Sequence, residues 1–413
     1  MSESPFVPLG SLALEITVGH VGPMASQYQS AGVPFLRSQN VAPLRIDTGG
    51  MRYIPVEFHR RLAKSSLRAG DVVVVRTGRP GTAALVPPEF DGANCSDLVI
   101  IRPGPNLDGR FLAYYLNTAV TRGVMNGRTV GSVQSHFNIG DARSLPVRIP
   151  SLAVQRSIAG LLTALDEKIE LSRQTSETIE RLVRALFGYW FGTLDPETVR
   201  EGWSVGRLGD HIEPTRGLSY SGAGLADDGI PLHNLDSIYE GGGYKYEGIK
   251  HYRGEYKERH IVRGGDLLLA NTEQGFEYLL IGFPALVPQR FGDLSLFSHH
   301  LYRVRPQGGS WLTGRFLYLA LMSPRLRQVI VGYSNGTTVN MLPVDALQRP
   351  RLAVPPADLV HRFDDTVQPL LAKQEQLQLE SEILAKLRDL LLSKLMSGEI
   401  RLKEAENAVA EAG

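Results

Sequence analysis

Three polar segments in the first 150 residues carry side chains that can hydrogen-bond the bases and phosphates of nucleic acid. Residues 37–40 (RSQN) follow a short apolar run, residues 76–79 (RTGR) follow a predicted strand at 72–75, and residues 134–138 (QSHFN) follow Gly131. Arginine pairs well with guanine, whereas asparagine and glutamine pair with adenine. A basic loop that contains glycine suits a phosphate group. The chemistry predicted for these segments is therefore contact with DNA.

Three polar segments of the second half stand at equivalent places, at residues 233–234, 271–274 and 335–340. For any single residue an ordinary solvated or turn-forming loop explains the side chain equally well, so that alternative stays open. The recurrence of all three segments favours a function for the loops as a whole. The residues predicted to contact DNA are Arg37, Ser38, Gln39, Asn40, Arg76, Thr77, Arg79, Gln134, His136, Asn138, His233, Asn234, Asn271, Thr272, Asn335, Thr337, Thr338 and Asn340.

The motifs that would give the chain a catalytic centre of its own are lacking. Without a Gly-Lys pair there is no nucleotide-binding P-loop. The Pro-Pro pairs at 87–88 and 355–356 lack the polar and aromatic neighbours of a methyl-transfer loop. No G-x-G-x-x-G or H-E-x-x-H spacing occurs. We expect a non-catalytic chain with no cofactor, no metal and no nucleophilic serine.

Composition indicates a folded protein of two or three domains. The chain has 413 residues, of which 43% are hydrophobic. Cys95 is its one cysteine, which excludes an internal disulfide and suits a reducing cytosol. We find no signal peptide and no apolar stretch long enough for a membrane span, and we expect a cytoplasmic location. Net charge is +1, but residues 1–150 lean basic, with 15 Lys+Arg against 10 Asp+Glu.

The chain repeats itself with a period of about 200 residues, and repeats of this kind decide the architecture. Gly-Arg-Phe-Leu recurs unchanged, and the other matches keep the same order. Each copy begins with short apolar runs typical of buried strands and ends in a helical segment. The sequence therefore predicts a mixed α/β domain followed by a long helix, and this unit occurs twice along the chain. The matched segments are 8–10 with 207–209, 33–36 with 230–233, 68–71 with 263–266, 109–112 with 314–317, and 149–150 with 354–355.

Both helical segments carry a seven-residue repeat flanked by charges, which is the pattern of a coiled-coil seam. About 35 residues at roughly 1.5 Å each would make a rod of about 50 Å. If the helices pair antiparallel, a pseudo-two-fold axis relates the two copies. The paired helices would then hold the two domains at a fixed separation. The alternative is that each helix packs only on its own domain. The predicted seam residues are Ile158, Leu165, Ile179, Leu186, Phe363, Leu370, Leu377, Leu384 and Leu391, with Ser172 as the polar exception.

The helices are similar to those of the specificity subunits of type I restriction–modification enzymes. The resemblance lies in residues 149–158 (IPSLAVQRSI), 165–171 (LDEKIEL), 184–191 (RALFGYWF) and 387–401 (LRDLLLSKLMSGEIR). The order domain–helix–domain–helix matches as well. The chain departs from the family pattern at Ser151-Leu152-Ala153, where a second proline and an acidic residue are usual, and at His361, where glutamine is usual.

This resemblance implies two target-recognition domains, at 1–150 and 193–353, and two helical spacers, at 151–192 and 354–413 with the C-terminal tail. It implies double-stranded DNA and two modification subunits as partners, and leaves open whether restriction subunits also bind. S-adenosylmethionine, ATP and magnesium would then belong to those partners. A protein of another class, a coiled-coil scaffold that does not read DNA sequence, stays the alternative.

Overall fold

The computed structural model describes residues 6–127, 137–275, 277–336 and 339–412. The chain forms two compact units, of which the first comprises residues 1–172 and 379–413 and the second residues 173–378. Each unit therefore contains an α/β part together with portions of both long helices. The predicted boundary at 150 falls in the connection between the strand Pro146–Arg148 and the helix that begins at Leu152, whereas the predicted boundary at 353 falls within the strand Arg351–Val354.

The first unit is built on an antiparallel sheet with the strand order β2-β10-β7-β8. All four valines of β7 are buried, as the apolar run predicts. The strands described in this unit are β1 (Phe6–Pro8), β2 (Ala13–Val18), β3 (Val33–Leu36), β4 (Val41–Ala42), β5 (Arg45–Ile46), β6 (Arg52–Ile54), β7 (Val72–Val75), β8 (Ala83–Leu85), β9 (Asn94–Cys95), β10 (Leu98–Pro103) and β11 (Pro146–Arg148). The helices are α1 (Val56–Arg61), α2 (Gly109–Leu116), α3 (Ala119–Gly127), α4 (Ile139–Ser144) and the start of α5 (Leu152–Phe191).

The second unit repeats this plan with the strand order β13-β22-β18-β20. The strands described in it are β12 (Ser204–Arg207), β13 (Ile212–Arg216), β14 (Leu225–Ala226), β15 (Ile230–His233), β16 (Lys250–Tyr252), β17 (Ile261–Val262), β18 (Leu267–Ala270), β19 (Thr272–Gln274), β20 (Pro284–Leu286), β21 (Ser295–Phe297), β22 (Leu301–Pro306), β23 (Val339–Met341) and β24 (Arg351–Val354). The remaining helices of the chain are α6 (Gly314–Met322), α7 (Pro324–Val331), α8 (Asp345–Gln348), α9 (Ala357–Ser397) and α10 (Leu402–Ala412).

The predicted repeat is confirmed by equivalent local bonds as well as by strand order. Before β7 the carboxylate of Asp71 accepts the backbone N–H of Arg68, at 2.9 Å. Before β18 Asp266 accepts the backbone N–H of Arg263, at 2.8 Å. In both copies the aspartate fixes a tight turn whose glycine adopts positive φ, and the strand begins directly afterwards.

The recurring Gly-Arg-Phe-Leu opens a helix in both units. The side chain of Asp108 caps α2 by accepting the N–H of Phe111, at 2.9 Å. Thr313 caps α6 by accepting the N–H of Phe316, at 3.1 Å. An oxygen-bearing residue at this place satisfies a backbone donor that the helix itself leaves unpaired. The two copies thus begin the same helix with different cap residues.

In the first unit α5 and α9 pack against each other in opposite directions. Asp166 and Lys168 follow one another along α5, whereas their partners on α9, Arg388 and Glu380, occur in reverse order. The Asp166 Oδ1–Arg388 Nη1 distance is 2.5 Å, and the Lys168 Nζ–Glu380 Oε1 distance is 3.0 Å. The apolar core between these helices also includes side chains of the sheet and of α2. The antiparallel pairing predicted from the seam is therefore present in this unit.

Burial follows the predicted seven-residue spacing in both units. A second buried row runs between the predicted positions, so each helix presents the alternating three- and four-residue spacing of a packed seam. Of the predicted seam residues, Ile158, Leu165, Phe363, Leu377, Leu384 and Leu391 are buried, whereas Ile179, Leu186 and Leu370 are half-buried. The second row includes Leu162, Ile169, Val183, Val360, Val367 and Leu395.

Aromatic rings join the helices to the sheet domain of the second unit. The ring of Phe363 on α9 lies 4.9 Å from that of Phe191 and 5.6 Å from that of Trp190, both on α5. The ring of Phe316 on α6 lies 5.0 Å from that of Phe191. Edge-on packing of this kind stabilises a core beyond simple burial. Phe191 thus contacts rings of both other helices, and Phe363 is fully buried against α5.

We predict that Phe363→Ala lowers the free energy of unfolding of the second unit by about 3–5 kcal/mol, because it removes a buried ring and leaves a cavity. Urea unfolding followed by tryptophan fluorescence measures the change, since Trp190 lies beside this ring. Tyr189→Ala is the control, because Tyr189 is 83% exposed and its loss should change stability by less than about 0.5 kcal/mol. Equal stability of the two variants would contradict the prediction.

Candidate nucleic-acid interface

The first predicted segment, residues 37–40, forms a short turn after β3 whose asparagine points inward. Asn40 is fully buried, and its Oδ1 accepts the backbone N–H of Arg37, at 3.2 Å. Its Nδ2 donates to the carbonyl oxygens of Asp47 and Gly49, at 3.1 and 3.2 Å. These bonds occupy the amide, so Asn40 holds the loop and is not free to bond a base. Gln39 beside it is exposed.

Arg37 and Ser38 are half-buried in the same turn. A guanidinium nitrogen of Arg37 donates to the carbonyl of Gly50, at 2.6 Å, and the guanidinium lies 5.8 Å from the centre of the Tyr28 ring. The hydroxyl of Ser38 donates to the carbonyl of Asp97, at 3.4 Å. Of the four predicted residues, the structure therefore leaves Gln39 with the least constrained side chain.

The second segment, residues 76–79, is organised by one carboxylate at the start of the neighbouring strand. Asp97, directly before β10, forms an ion pair with Arg76 at 3.3 Å and accepts the hydroxyl of Thr77. Asp97 adopts a positive φ of 54°, which an aspartate tolerates better than most residues. Arg79 at the far side of the loop is exposed. The structure thus brings Arg76 and Thr77 together and leaves Arg79 facing outward.

In the third segment Asn138 is exposed and caps α4, where its Oδ1 accepts the N–H of Asp141 at 3.0 Å. Gln134 and His136 lie outside the described residues. In the second unit Asn335 is exposed after α7, and Thr337 and Thr338 lie outside the described residues.

His233 is an internal residue of the second unit. Its ring is fully buried, with Nδ1 2.8 Å from the Tyr244 hydroxyl and Nε2 2.9 Å from the Ser295 hydroxyl. Burial lowers the pKa of His233 to about 3. A neutral ring with both nitrogens bonded has no remaining group for a base or a phosphate. The prediction that His233 contacts DNA fails in this structure for that reason.

Asn234 follows His233 and is also turned inward. Its Nδ2 donates to the carbonyl of Gly248, at 2.7 Å, and its Oδ1 accepts the N–H of Asp236, at 2.9 Å. Asn234 therefore does for the second unit what Asn40 does for the first, closing the turn after the strand. Asparagine suits such turns because its amide imitates the backbone.

The loop after β18 is likewise bonded to the protein itself. The Nδ2 of Asn271 donates to the carbonyl of His299, at 3.1 Å, and the Thr272 hydroxyl lies 2.9 Å from Nδ1 of His300. Asn340 on β23 donates to the carbonyl of Gly275. Asn271, Thr272 and Asn340 are all buried. They join the β19 segment to β23 and to the residues that precede β22, and they do not face outward, so direct base contact by them is not supported.

Sequence reasoning missed two exposed basic runs that precede the matching aspartate turns. Residues 60–68 contain Arg60, Arg61, Lys64 and Arg68, and residues 257–263 contain Lys257, Arg259 and Arg263. All seven side chains are exposed. The signal was present in the sequence, because both runs end at the repeated Arg-x-Gly-Asp.

One pattern in the sequence requires a correction to the expectation that no serine nucleophile occurs. Residues 332–336 read Gly-Tyr-Ser-Asn-Gly, which matches the Gly-x-Ser-x-Gly of hydrolases. A nucleophile elbow joins a strand to a helix, whereas these residues follow the C-terminal end of α7. The surroundings are those of a helix end, so the match has no structural support as a catalytic motif.

Metal-binding and membrane-spanning features are both lacking in the described part of the chain. No group of three or more histidine, cysteine, aspartate or glutamate side chains there is arranged to hold a metal ion. No helix there combines the length and apolar character that crossing a membrane requires.

Known proteins resemble this chain in sequence and in fold. Residues 58–181 match the family described as type I restriction modification DNA specificity domain. The chain is 24% identical over 332 residues to the type I restriction enzyme MjaIX specificity subunit of Methanocaldococcus jannaschii, covering 74% of this chain and 72% of that relative. It is 28% identical over 140 residues to the HindI specificity subunit of Haemophilus influenzae, covering 32% and 30%. The crystal structure of the type I S subunit from M. genitalium shares the fold, with a TM-score of 0.60, 15% identity and coverage of 94% and 95%.

We predict that Asn40→Ala destabilises the first unit by about 1–3 kcal/mol, because three backbone groups lose their bonds to this buried amide. Gln39→Ala should leave stability within about 0.5 kcal/mol of the parent, since Gln39 is exposed. Thermal unfolding of the two variants measures the difference. A stable Asn40→Ala protein would show that the side chain does not hold this turn.

The buried ring of His233 predicts an acid-sensitive contribution to stability. The pKa of His233 in the folded chain, about 3, lies below the ordinary value of 6.5. Between these pH values the ring is therefore protonated in the unfolded chain and not in the folded chain. The contribution is complete above about pH 6.5 and declines as pH falls towards 3. At pH 5 the loss should be about 2 kcal/mol.

The test compares urea unfolding at pH 7 and pH 5 in the parent, His233→Gln and His361→Gln. His233→Gln should lose less stability between the two pH values than the parent, by about the 2 kcal/mol that this ring contributes. His361 is exposed on α9, and its replacement should retain the parent's pH dependence. Identical pH dependence in all three proteins would contradict the assignment of this sensitivity to His233.

Proposed function

We infer that this chain, as a member of the type I restriction–modification specificity subunits, selects the DNA site on which a methyltransferase complex acts. It is a non-catalytic subunit. It reads a bipartite, asymmetric sequence and docks the modification subunits. The alternative of a scaffold without sequence readout is not favoured, because the family match of residues 58–181 is to a DNA specificity domain.

The observation that carries this function is one architecture built twice with different side chains at the same loops. The loop after β7 holds Arg76 and Thr77 against Asp97, whereas the loop after β18 holds Asn271 and Thr272 against His299 and His300. Protein symmetry is mirrored in the symmetry of the DNA site that is read. Two like-folded units with unlike loops suit a site of two unlike halves.

Within each unit the exposed loop residues are proposed to contact DNA. Gln39, Arg79 and Asn138 are exposed in the first unit, and Asn335 is exposed in the second. Side chains of these types hydrogen-bond base edges or phosphates. The buried residues of the same loops, Asn40 and Asn234 among them, would act indirectly by fixing the loop backbone.

The partner subunits are proposed to supply the reaction. S-adenosylmethionine would be held by the modification subunits, and ATP with magnesium by restriction subunits where these are present. This assignment is what the resemblance to type I restriction–modification specificity subunits implies. The place of action would be the cytoplasm, where DNA and these subunits meet.

Exchange of one domain tests this function. We predict that replacing residues 1–150 with the corresponding segment of a specificity subunit of different target changes one half of the methylated sequence and preserves the other. The junction is suitable because β11 ends at Arg148 and α5 begins at Leu152. Sequencing of methylated adenines in cells that express the hybrid with its modification subunits provides the readout.

The reciprocal exchange of residues 193–353 serves as the matched control and should change the other half. A hybrid that alters both halves at once, or that methylates the parental site unchanged, would contradict the assignment of one half-site to each unit.

A further inference from the structure

A cleft of about 420 Å³ opens beside α1 in the first unit. It combines two exposed arginines with a third, partly buried arginine, a histidine and a serine hydroxyl. The residues that line it are His59, Arg60, Ala63, Ser66, Arg68 and Arg102. None of them belongs to the loops predicted to contact DNA, and each can donate a hydrogen bond except Ala63.

A buried amide fixes the histidine of this cleft. Asn94 on β9 is fully buried, and its Oδ1 accepts the Ser65 hydroxyl at 2.7 Å and the Cys95 N–H at 2.8 Å. Its Nδ2 donates to the carbonyl of Leu62 at 3.0 Å and lies 3.2 Å from Nδ1 of His59. Because Nδ2 of an amide can only donate, Nδ1 of His59 is the acceptor, and the N–H of the ring lies on Nε2.

The charges around the cleft leave two guanidinium groups able to bind an anion. Arg102 is engaged, since it pairs with Glu15, lies 3.6 Å from Asp71 and donates to the carbonyl of Ser66 at 3.0 Å. Arg60 and Arg68 are exposed, and neither guanidinium forms an ion pair with a carboxylate among the residues that the structure describes, although the backbone N–H of Arg68 bonds Asp71. An anion that enters the cleft would therefore meet two cations that are not already neutralised.

The second unit has the same construction at the equivalent place. Arg303 donates to the carbonyl of Ile261, as Arg102 donates to that of Ser66, and Arg305 forms a bidentate pair with Asp266 at 2.8 and 2.6 Å. Arg259 and Arg263 are exposed and precede Asp266 along the chain, at the sequence positions that Lys64 and Arg68 take in the first unit. In the first unit Arg102 alone bonds the backbone carbonyl and approaches the aspartate, whereas in the second unit Arg303 makes the first contact and Arg305 the second.

Arg303 adds an unneutralised cation to the second site. It is 8% exposed, and no carboxylate lies within 4 Å of it in the described part of the chain. Burial lowers the pKa of Arg303 and the neighbouring Arg305 lowers it further, against the opposing effect of Asp266 and Glu213. A nearby anion would relieve this repulsion, because opposite charge favours the ionised form.

We propose that each unit grips a phosphate of the DNA backbone at this place, through Arg60 and Arg68 in the first unit and Arg259 and Arg263 in the second. Guanidinium groups match phosphate oxygens in geometry, and the Nε2–H of His59 adds a donor. Such binding positions the duplex without reading its sequence. The proposal rests on the proposed function and names residues outside the loops predicted to contact DNA.

A double-stranded duplex is favoured over an acidic protein surface as the occupant. The family match to a DNA specificity domain begins at residue 58, directly before the first residue of the cleft. Exposed basic residues precede the aspartate turn in both units, as expected if each unit anchors its own half-site. An acidic protein partner is the competing outcome in the experiment below.

The experiment measures DNA affinity of the full-length chain assembled with its modification subunits. Fluorescence anisotropy with a target duplex and an unrelated duplex is recorded over a series of NaCl concentrations. Arg60→Ala/Arg68→Ala should weaken binding to both duplexes by the same factor, roughly tenfold or more. The slope of log Kd against log salt should become shallower by about 1 to 2, because each phosphate that the protein neutralises adds about 0.9 to that slope.

Three further variants sharpen the result. Arg60→Lys/Arg68→Lys keeps the charges and should retain most of the salt slope, which separates charge from folding. Arg156→Ala/Arg173→Ala removes two exposed arginines from α5 and should change little. Arg259→Ala/Arg263→Ala should weaken binding in the same way through the second unit. In every variant the methylated sequence should stay that of the parent.

An unchanged salt slope in Arg60→Ala/Arg68→Ala, with parental methylation, would overturn the phosphate site and leave the proposed function intact. Normal DNA binding with weakened assembly on size-exclusion chromatography would overturn it in favour of an acidic protein partner. A parent complex that methylates no specific sequence would instead refute the proposed function itself.

Discussion

Both α/β units depend on the burial of one apolar face of α5 and α9. In the first unit, Ile158 and Leu165 of α5 share a core with Phe111 of α2 and Leu391 of α9. In the second unit, other turns of the same two helices complete the core around Phe363. Neither sheet has a complete core without these helices. The helices are therefore internal parts of both units and not linkers between finished domains.

This sharing explains why the compact units do not coincide with domains drawn from the sequence. A boundary at residue 150 marks where composition changes, whereas the apolar packing continues into α5. Polar bonds reinforce the attachment, and they differ between the copies. Gln155 bonds the backbone of Asp108 and Asn106 in the first unit, while Asp364 accepts Arg315 and Thr313 in the second. Buried polar groups of this kind fix one register, because any other leaves them unsatisfied.

Features that depend on periodicity could be predicted, and features that depend on distant partners could not. The seven-residue seam and the recurrence of Gly-Arg-Phe-Leu each reflect a repeating local rule, and both appear in the structure. The orientation of side chains in the polar loops could not be predicted, because the sequence does not distinguish an asparagine that faces solvent from one that closes its own turn. Asn40 is bonded to carbonyls seven and nine residues away. Likewise the basic cleft depends on Asn94, which meets His59 from 35 residues along the chain.

The two units thus keep their scaffold constant and vary the electrostatics at corresponding loop positions. Directly before β10 stands Asp97, an acceptor that draws Arg76 and Thr77 together. Directly before β22 stands His300, whose pKa is lowered by burial and by the adjacent His299, so the ring is neutral where the first unit has a carboxylate. An ion pair orients a cation at one loop, and a neutral network replaces it at the other. Because these bonds lie at strand ends, outside the core, such exchanges alter what the loop presents without disturbing the sheet beneath it.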